Sequence, residues 1–334
     1  MEQVSHRQLF NTSWTIHRLS PLHHGKDCET LLDNQAALKV YAARLRDQLT
    51  GDILAGLHSS ATTAEDDALS KTGALRRCHW LPISTESSAG RATFPGILVT
   101  LEYENIIYKA ALLADPNNTS GLNEREGSTF LPLLLTRFPN ALRQTFISFL
   151  SANFDTYCST LRLPSNFLCT GMETFIDELR GFASQSTANA IIEDTIKELQ
   201  LTLAFSPPIA PALRSLNIGI SRNSLIDFLR DGVGKSKGKQ KARSPLISNL
   251  TAYLEKHLAM KLDSDGSAGN EVAKHVRLSK VACAAFVLGG EGRMKLVVAE
   301  QPEDDEEILP AQRASETLLL AAIRKAVIGD QAAT

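Results

Sequence analysis

The sequence predicts an α+β protein with a mostly antiparallel sheet and helices packed on it, ending in a C-terminal β-hairpin and a closing helix. Three observations predict it. Segments with strand-like, β-branched and aromatic composition come in hairpin pairs. Apolar stripes at helical spacing are grouped in the middle of the chain rather than alternating with single strands. The strongest β signal lies near the C-terminus, followed by one last helical stripe.

In chain order, Trp14 to Leu19 alternate and stop before Pro21, as a first strand does. Leu38, Tyr41, Ala42, Leu45 and Leu49 then recur at helical spacing, with Gly51 as the expected stop. Ser59 to Ser70 is a small, polar, acidic loop; Leu75 to Ile83 is a strand; Ser84 to Arg91 is again loop-like. A hairpin follows, Gly96 to Tyr103 and Ile106 to Ala114, turning at Glu104-Asn105.

Three apolar stripes mark helices: Leu142, Phe146, Phe149, Leu150, Phe154; then Met172, Phe175, Ile176, Leu179, Phe182; then Ala188, Ile192, Ile196, Leu199. Leu201 to Phe205 is a short strand ended by Pro207-Pro208, and Ser221 is placed to cap a short helix carrying Leu225, Phe228 and Leu229. A glycine- and lysine-rich loop spans Asp231 to Arg243. Pro245 opens a helix with Leu246, Leu250, Leu254 and Leu258 on one face. His275 to Leu288 reads as one long strand, Gly289 to Gly292 as a turn, Arg293 to Glu300 as the return strand, and Ala311 to Val327 as the final helix. Two parts are expected, 1–206 and 207–334.

With 334 residues, 43% of them hydrophobic, the chain can bury a substantial core. The formal net charge of −2 gives no global attraction for nucleic acid, so any such contact must be local. No secretory h-region and no apolar run of membrane-spanning length is seen, and an intracellular aqueous location is expected. Cys28, Cys78, Cys158, Cys169 and Cys283 are scattered and never form C-x-x-C, which argues for free thiols rather than disulfides or zinc.

Motifs for chemistry are sparse. Gly234-Lys235-Ser236 suggests a phosphate-binding loop, but the glycine such a loop requires five residues earlier is Leu229. His23, His24 and Cys28 lack a fourth ligand at a usual spacing. No nucleophile elbow, zincin or dinucleotide fingerprint occurs, so no cofactor, metal or catalytic residue is expected. Lys235, Lys237, Lys239, Lys241 and Arg243 carry five positive charges with no acid between them. They are the candidate DNA-contacting residues, against the plainer reading of a solvated linker. Glu303 to Glu307 reads as a solvated acidic linker.

The stretch Leu9 to Leu22, entered by Trp-Thr and closed by Pro-Leu, resembles the opening of the centromere protein L (CENP-L) family. Gly96 to Ala114, Thr129 to Arg137 and Phe146 to Leu163 are similar to its fungal branch, and Val276 to Leu288, Met294 to Val298 and the last helix complete the likeness. The resemblance spans about residues 9 to 328. It implies a large curved sheet and a non-enzymatic adaptor of the inner kinetochore, in the nucleus at the centromere. It further implies pairing with a CENP-N-type subunit through C-terminal β elements, near CENP-C and the CENP-H/I/K/M group, and help in holding the centromeric (CENP-A) nucleosome and its DNA. No small-molecule substrate or membrane enters this picture.

Both faces of Val281 to Leu288 are apolar, so the sheet there is either covered twice by this chain or completed by another. Alternation then selects Val281, Cys283, Val287, Met294, Leu296 and Val298 as the partner contacts. Two readings of other classes stand beside this one: a nucleotide-binding enzyme using a degenerate P-loop at Gly234-Lys235-Ser236, and an autonomous DNA-binding protein.

Overall fold

The computed structural model describes residues 4–26, 29–32, 34–54, 72–83, 94–116, 127–181, 185–205, 212–229, 245–258, 276–299 and 309–328. The loop readings at Ser59–Ser70, Ser84–Arg91, Asp231–Arg243 and Glu303–Glu307 lie outside them. The chain divides into two compact units, Met1–Leu161 with Ala322–Thr334, and Arg162–Ala321. The expected boundary at 206/207 falls inside the second unit, between two strands that pair. The fold is α+β, with largely antiparallel pairing in both units.

In the first unit the sheet runs β3 (Leu75–Pro82), β4 (Gly96–Tyr103), β5 (Ile107–Leu113), β7 (Leu133–Arg137), β1 (Ser13–Leu19), with β8 (Cys158–Thr160) also on β1. β2 (Leu22–His23) and β6 (Ser128–Thr129) form a separate short pair. The hairpin read from sequence is present: Tyr103 N–H donates to Ile106 C=O at 2.9 Å, closing a turn over Glu104-Asn105. At Gly96 a Cβ would stand 2.3 Å from the carbonyl oxygen of Leu112, so the close approach of β4 to β5 there requires glycine.

One face of this sheet is apolar and lies under α1 (Gln35–Leu54) and α2 (Asn140–Phe154). Leu38, Tyr41, Ala42, Leu45 and Leu49 of α1 are all buried, as are the five stripe residues of α2. Trp80 sits between the two helices with Tyr41, Phe146, Phe149 and Phe154 at ring-centroid distances of 6.1–6.3 Å. Gly51 does not stop α1, which continues to Leu54. An interior glycine costs a helix only about 1 kcal/mol, less than the packed stripe before it supplies.

The second unit has the sheet order β10 (Ser215–Ile220), β9 (Leu199–Phe205), β11 (Val276–Ala282), β12 (Phe286–Gly289), β13 (Arg293–Leu296). Its helices are α3 (Ser165–Gly181), α4 (Gln185–Ile196), α5 (Arg222–Leu229), α6 (Pro245–Leu258) and the first part of α7 (Pro310–Ile328). The stripes of α3, α4 and α6 are buried wherever their side chains are described; Phe182 and Leu258 are not among these. Ser221 caps α5 as expected, accepting the Ser224 N–H at 3.4 Å. Leu199 belongs to β9 rather than to α4. Lys197 adopts φ 59°, a left-handed conformation that ends the helix and redirects the chain.

The expected single strand to Leu288 is corrected here. The chain turns at Cys283–Ala285, where Cys283 N–H donates to Phe286 C=O at 2.8 Å and Val297 N–H to Ala285 C=O at 2.7 Å. β11, β12 and β13 are therefore a three-stranded meander, and β13 ends at Leu296 rather than Glu300. The small residues Ala282-Cys-Ala-Ala285 permit the tight reversal, and a hydrophobic run without glycine or proline hid it.

Candidate interaction surfaces

Cross-strand register decides which side chains share a face. In the second unit, Ile218, Leu201, Val281, Leu288 and Met294 form one row across all five strands. Leu296 lies opposite Phe286 on the same face. This is the helix-covered face. Phe175 of α3 meets Phe286 at 4.8 Å, and a Cβ on Gly171 would stand 3.0 Å from Leu318 of α7 and 3.4 Å from Leu288.

Val281, Met294 and Leu296 are thus buried in the unit's own core, while Cys283, Val287 and Val298 are only partly buried. Counting by twos along an unbroken strand put Val281 and Val287 on one face. The turn at Cys283–Ala285 reverses that phase, and Val287 pairs with Ala282 and Lys295 on the opposite face. That face, with Gln200, Ala282, Val287 and Lys295 in one row, stays partly or fully exposed except at Ala282, which is buried.

β10, which sequence reading passed over, is the outer strand of this sheet. Its pairing among the described residues is to β9 alone. Phe205 N–H donates to Arg214 C=O at 3.1 Å, so alternation turns the backbone groups of Ser215, Asn217 and Gly219 away from β9. Short length and exposed polar residues disguised β10 in the sequence. α5, which follows it, is tied to α4 by Arg222, whose guanidinium donates to Glu193 at 3.0 Å and Asp194 at 2.8 Å.

In the first unit, the face opposite α1 and α2 carries a second feature that sequence reading missed. His79, Thr100, Lys109 and Arg137 are directly opposite one another on β3, β4, β5 and β7. Arg77 lies opposite Glu102, and Glu102 opposite Ile107, on the same face. Lys109 donates to Gln8 Oε1 at 2.8 Å. Burial, and then the Arg137 charge, lower its pKa. Only pairing brings these cations together, since they are far apart in sequence.

Lys235, Lys237, Lys239, Lys241 and Arg243, like Gly234-Lys235-Ser236, lie outside the described residues. Burial pushes the thiols of Cys78 and Cys158 up to about 12, and that of Cys283 to about 11, so these three stay protonated. Among the described residues no group of three or more His, Cys, Asp or Glu is placed to hold a metal. His24 is engaged with Thr129 Oγ1 at 2.9 Å. No helix among them is long and apolar enough to cross a membrane.

His17 on β1 is buried on the helix face, 4% exposed, with Nε2 3.3 Å from Thr136 Oγ1. Burial, helped by Arg143, lowers its pKa to about 4. The unfolded chain then binds a proton that the folded one refuses. Stability is full above the unfolded pKa near 6.5 and is lost as pH falls towards the folded value. Urea titrations at pH 7 and pH 5 are expected to differ by about 2 kcal/mol from this group, and His17→Gln to remove that difference. An unchanged pH dependence in the variant would show that other groups carry it.

An open, largely antiparallel sheet with helices packed on it defines an α+β protein. The family model for centromere protein L matches residues 8–327, and the chain belongs to the CENP-L family. That family is a structural component of the kinetochore, which gives this protein a centromeric, nuclear role in chromosome segregation. A search among curated proteins finds no match.

Proposed function

We propose that this protein is a non-enzymatic adaptor of the inner kinetochore that pairs with a CENP-N-type subunit through its second unit. The observation that carries the pairing is the outer edge of β10. Ser215, Asn217 and Gly219 present backbone donors and acceptors that a partner strand can satisfy. The uncovered face around Val287 and Lys295 offers side-chain contact, extended by Cys283 and Val298. In this reading Val281, Met294 and Leu296 act from beneath by fixing the meander. The paired subunits then join CENP-C and the CENP-H/I/K/M-type subunits and help hold centromeric nucleosome DNA, with Lys235, Lys237, Lys239, Lys241 and Arg243 as auxiliary phosphate contacts.

Two variants test the pairing in co-expression with the CENP-N-type subunit. Asn217→Pro removes an outward N–H while leaving the β9 ladder intact. Val287→Asp places a charge on the uncovered face. Loss of co-elution with Asn217→Pro, in a variant whose circular dichroism melt is unchanged, supports strand addition. Loss with Val287→Asp alone places the contact on the face, and retention by both folded variants sinks pairing through this unit.

A further inference from the structure

We propose that the cationic end of the first unit's outer sheet face docks an acidic peptide segment that also carries apolar side chains. The first reason is an unbalanced charge. Lys109 and Arg137 stand directly opposite on neighbouring strands, where like charges destabilise a ladder. No ion pair joins either of them, or Arg77, to a carboxylate among the described residues. Lys109 is partly buried and held by a neutral amide, so its charge is kept in place without compensation. An incoming carboxylate would supply that compensation, and His79 and Thr100 extend the row with further polar groups.

The second reason separates a peptide from a phosphate backbone. Ile107 lies on this same face beside Lys109 and is 50% exposed, and Ile106 in the adjoining turn is 41% exposed. Phosphates would leave this apolar surface in water. A peptide with alternating acidic and apolar residues covers it and sets carboxylates over the cations. Glu102, on the same face opposite Arg77, repels a continuous polyanion but leaves room for discretely placed carboxylates. The surface is therefore a protein-docking face, and it stands apart from the pairing proposed for the second unit.

The probe is a short fluorescein-labelled peptide of alternating Glu and Ile, titrated with the full chain and read by fluorescence anisotropy. The wild type is expected to bind it. The double variant Lys109→Gln, Arg137→Gln should weaken binding roughly tenfold, and Ile107→Ser roughly fivefold, with circular dichroism melts showing both folded. Either of two results overturns the proposal. The wild type fails to bind the peptide, or Ile107→Ser binds it unchanged while the double variant loses affinity for duplex DNA, which would make the face a phosphate site. Failure of CENP-N-type pairing in the Asn217→Pro or Val287→Asp variants would leave this peptide titration unchanged, so the two readings fail separately.

Discussion

Truncating Phe149 to alanine is expected to cost about 3–5 kcal/mol of folding stability. The ring is 1% exposed and lies in the aromatic layer between α2 and the sheet, 6.1 Å from Trp80. Phe146 and Phe154 of the same helix and Tyr41 of α1 also pack around Trp80. Rigid rings on two helices and a strand cannot collapse into the space vacated, so the cavity term adds to the lost transfer energy. Urea denaturation followed by tryptophan fluorescence reads the loss. A change below about 1 kcal/mol would show that α2 packs differently.

The matching loss in the second unit is expected at Phe286, again about 3–5 kcal/mol on change to alanine. This side chain is 1% exposed, faces Phe175 at 4.8 Å, and lies opposite Leu296 in the ladder. Because it follows the turn at Cys283–Ala285, it anchors both the reversal and α3. Phe286→Leu keeps most of the buried apolar area and should lose clearly less. Equal losses for both variants would mean that the aromatic contact, rather than the volume, carries the energy. Negligible losses would mean that the meander is not closed by this residue.

Helices were the most legible part of the fold. The stripes Leu142 to Phe154 and Met172 to Leu179 are buried because a run with period 3.6 has one orientation in which it can lose its apolar area to a sheet. Capping by Ser221 and the hairpin turn at Glu104-Asn105 were equally readable, since a local hydrogen bond decides each. Strands were harder. β10 carries polar residues at its exposed positions and β8 has three residues, so neither departs from loop composition. Val281 to Leu288 contains no glycine or proline, so in the sequence the meander looks like one longer strand.

The interaction surfaces show the same division. Alternation selects Val281, Met294 and Leu296 as partner contacts, but all three are buried within the chain. The turn at Cys283–Ala285 shifts the phase of Val287, which shares the partly exposed face with Lys295 rather than the face of Val281. Lys109, Arg137, His79 and Arg77 carry no signal when read one segment at a time.

By itself, the sequence determined the α+β class, the helical stripes, the apolar C-terminal strands and membership of the CENP-L family. Each of these is written in local periodicity or in a pattern distributed along the whole chain. Only the tertiary structure decided which face each strand turns inward, that β10 forms the outer edge, and that Lys109 meets Arg137 across a ladder. Register is the reason: a shift of one residue exchanges the two faces of a strand, and the contacts that set it come from segments distant in sequence.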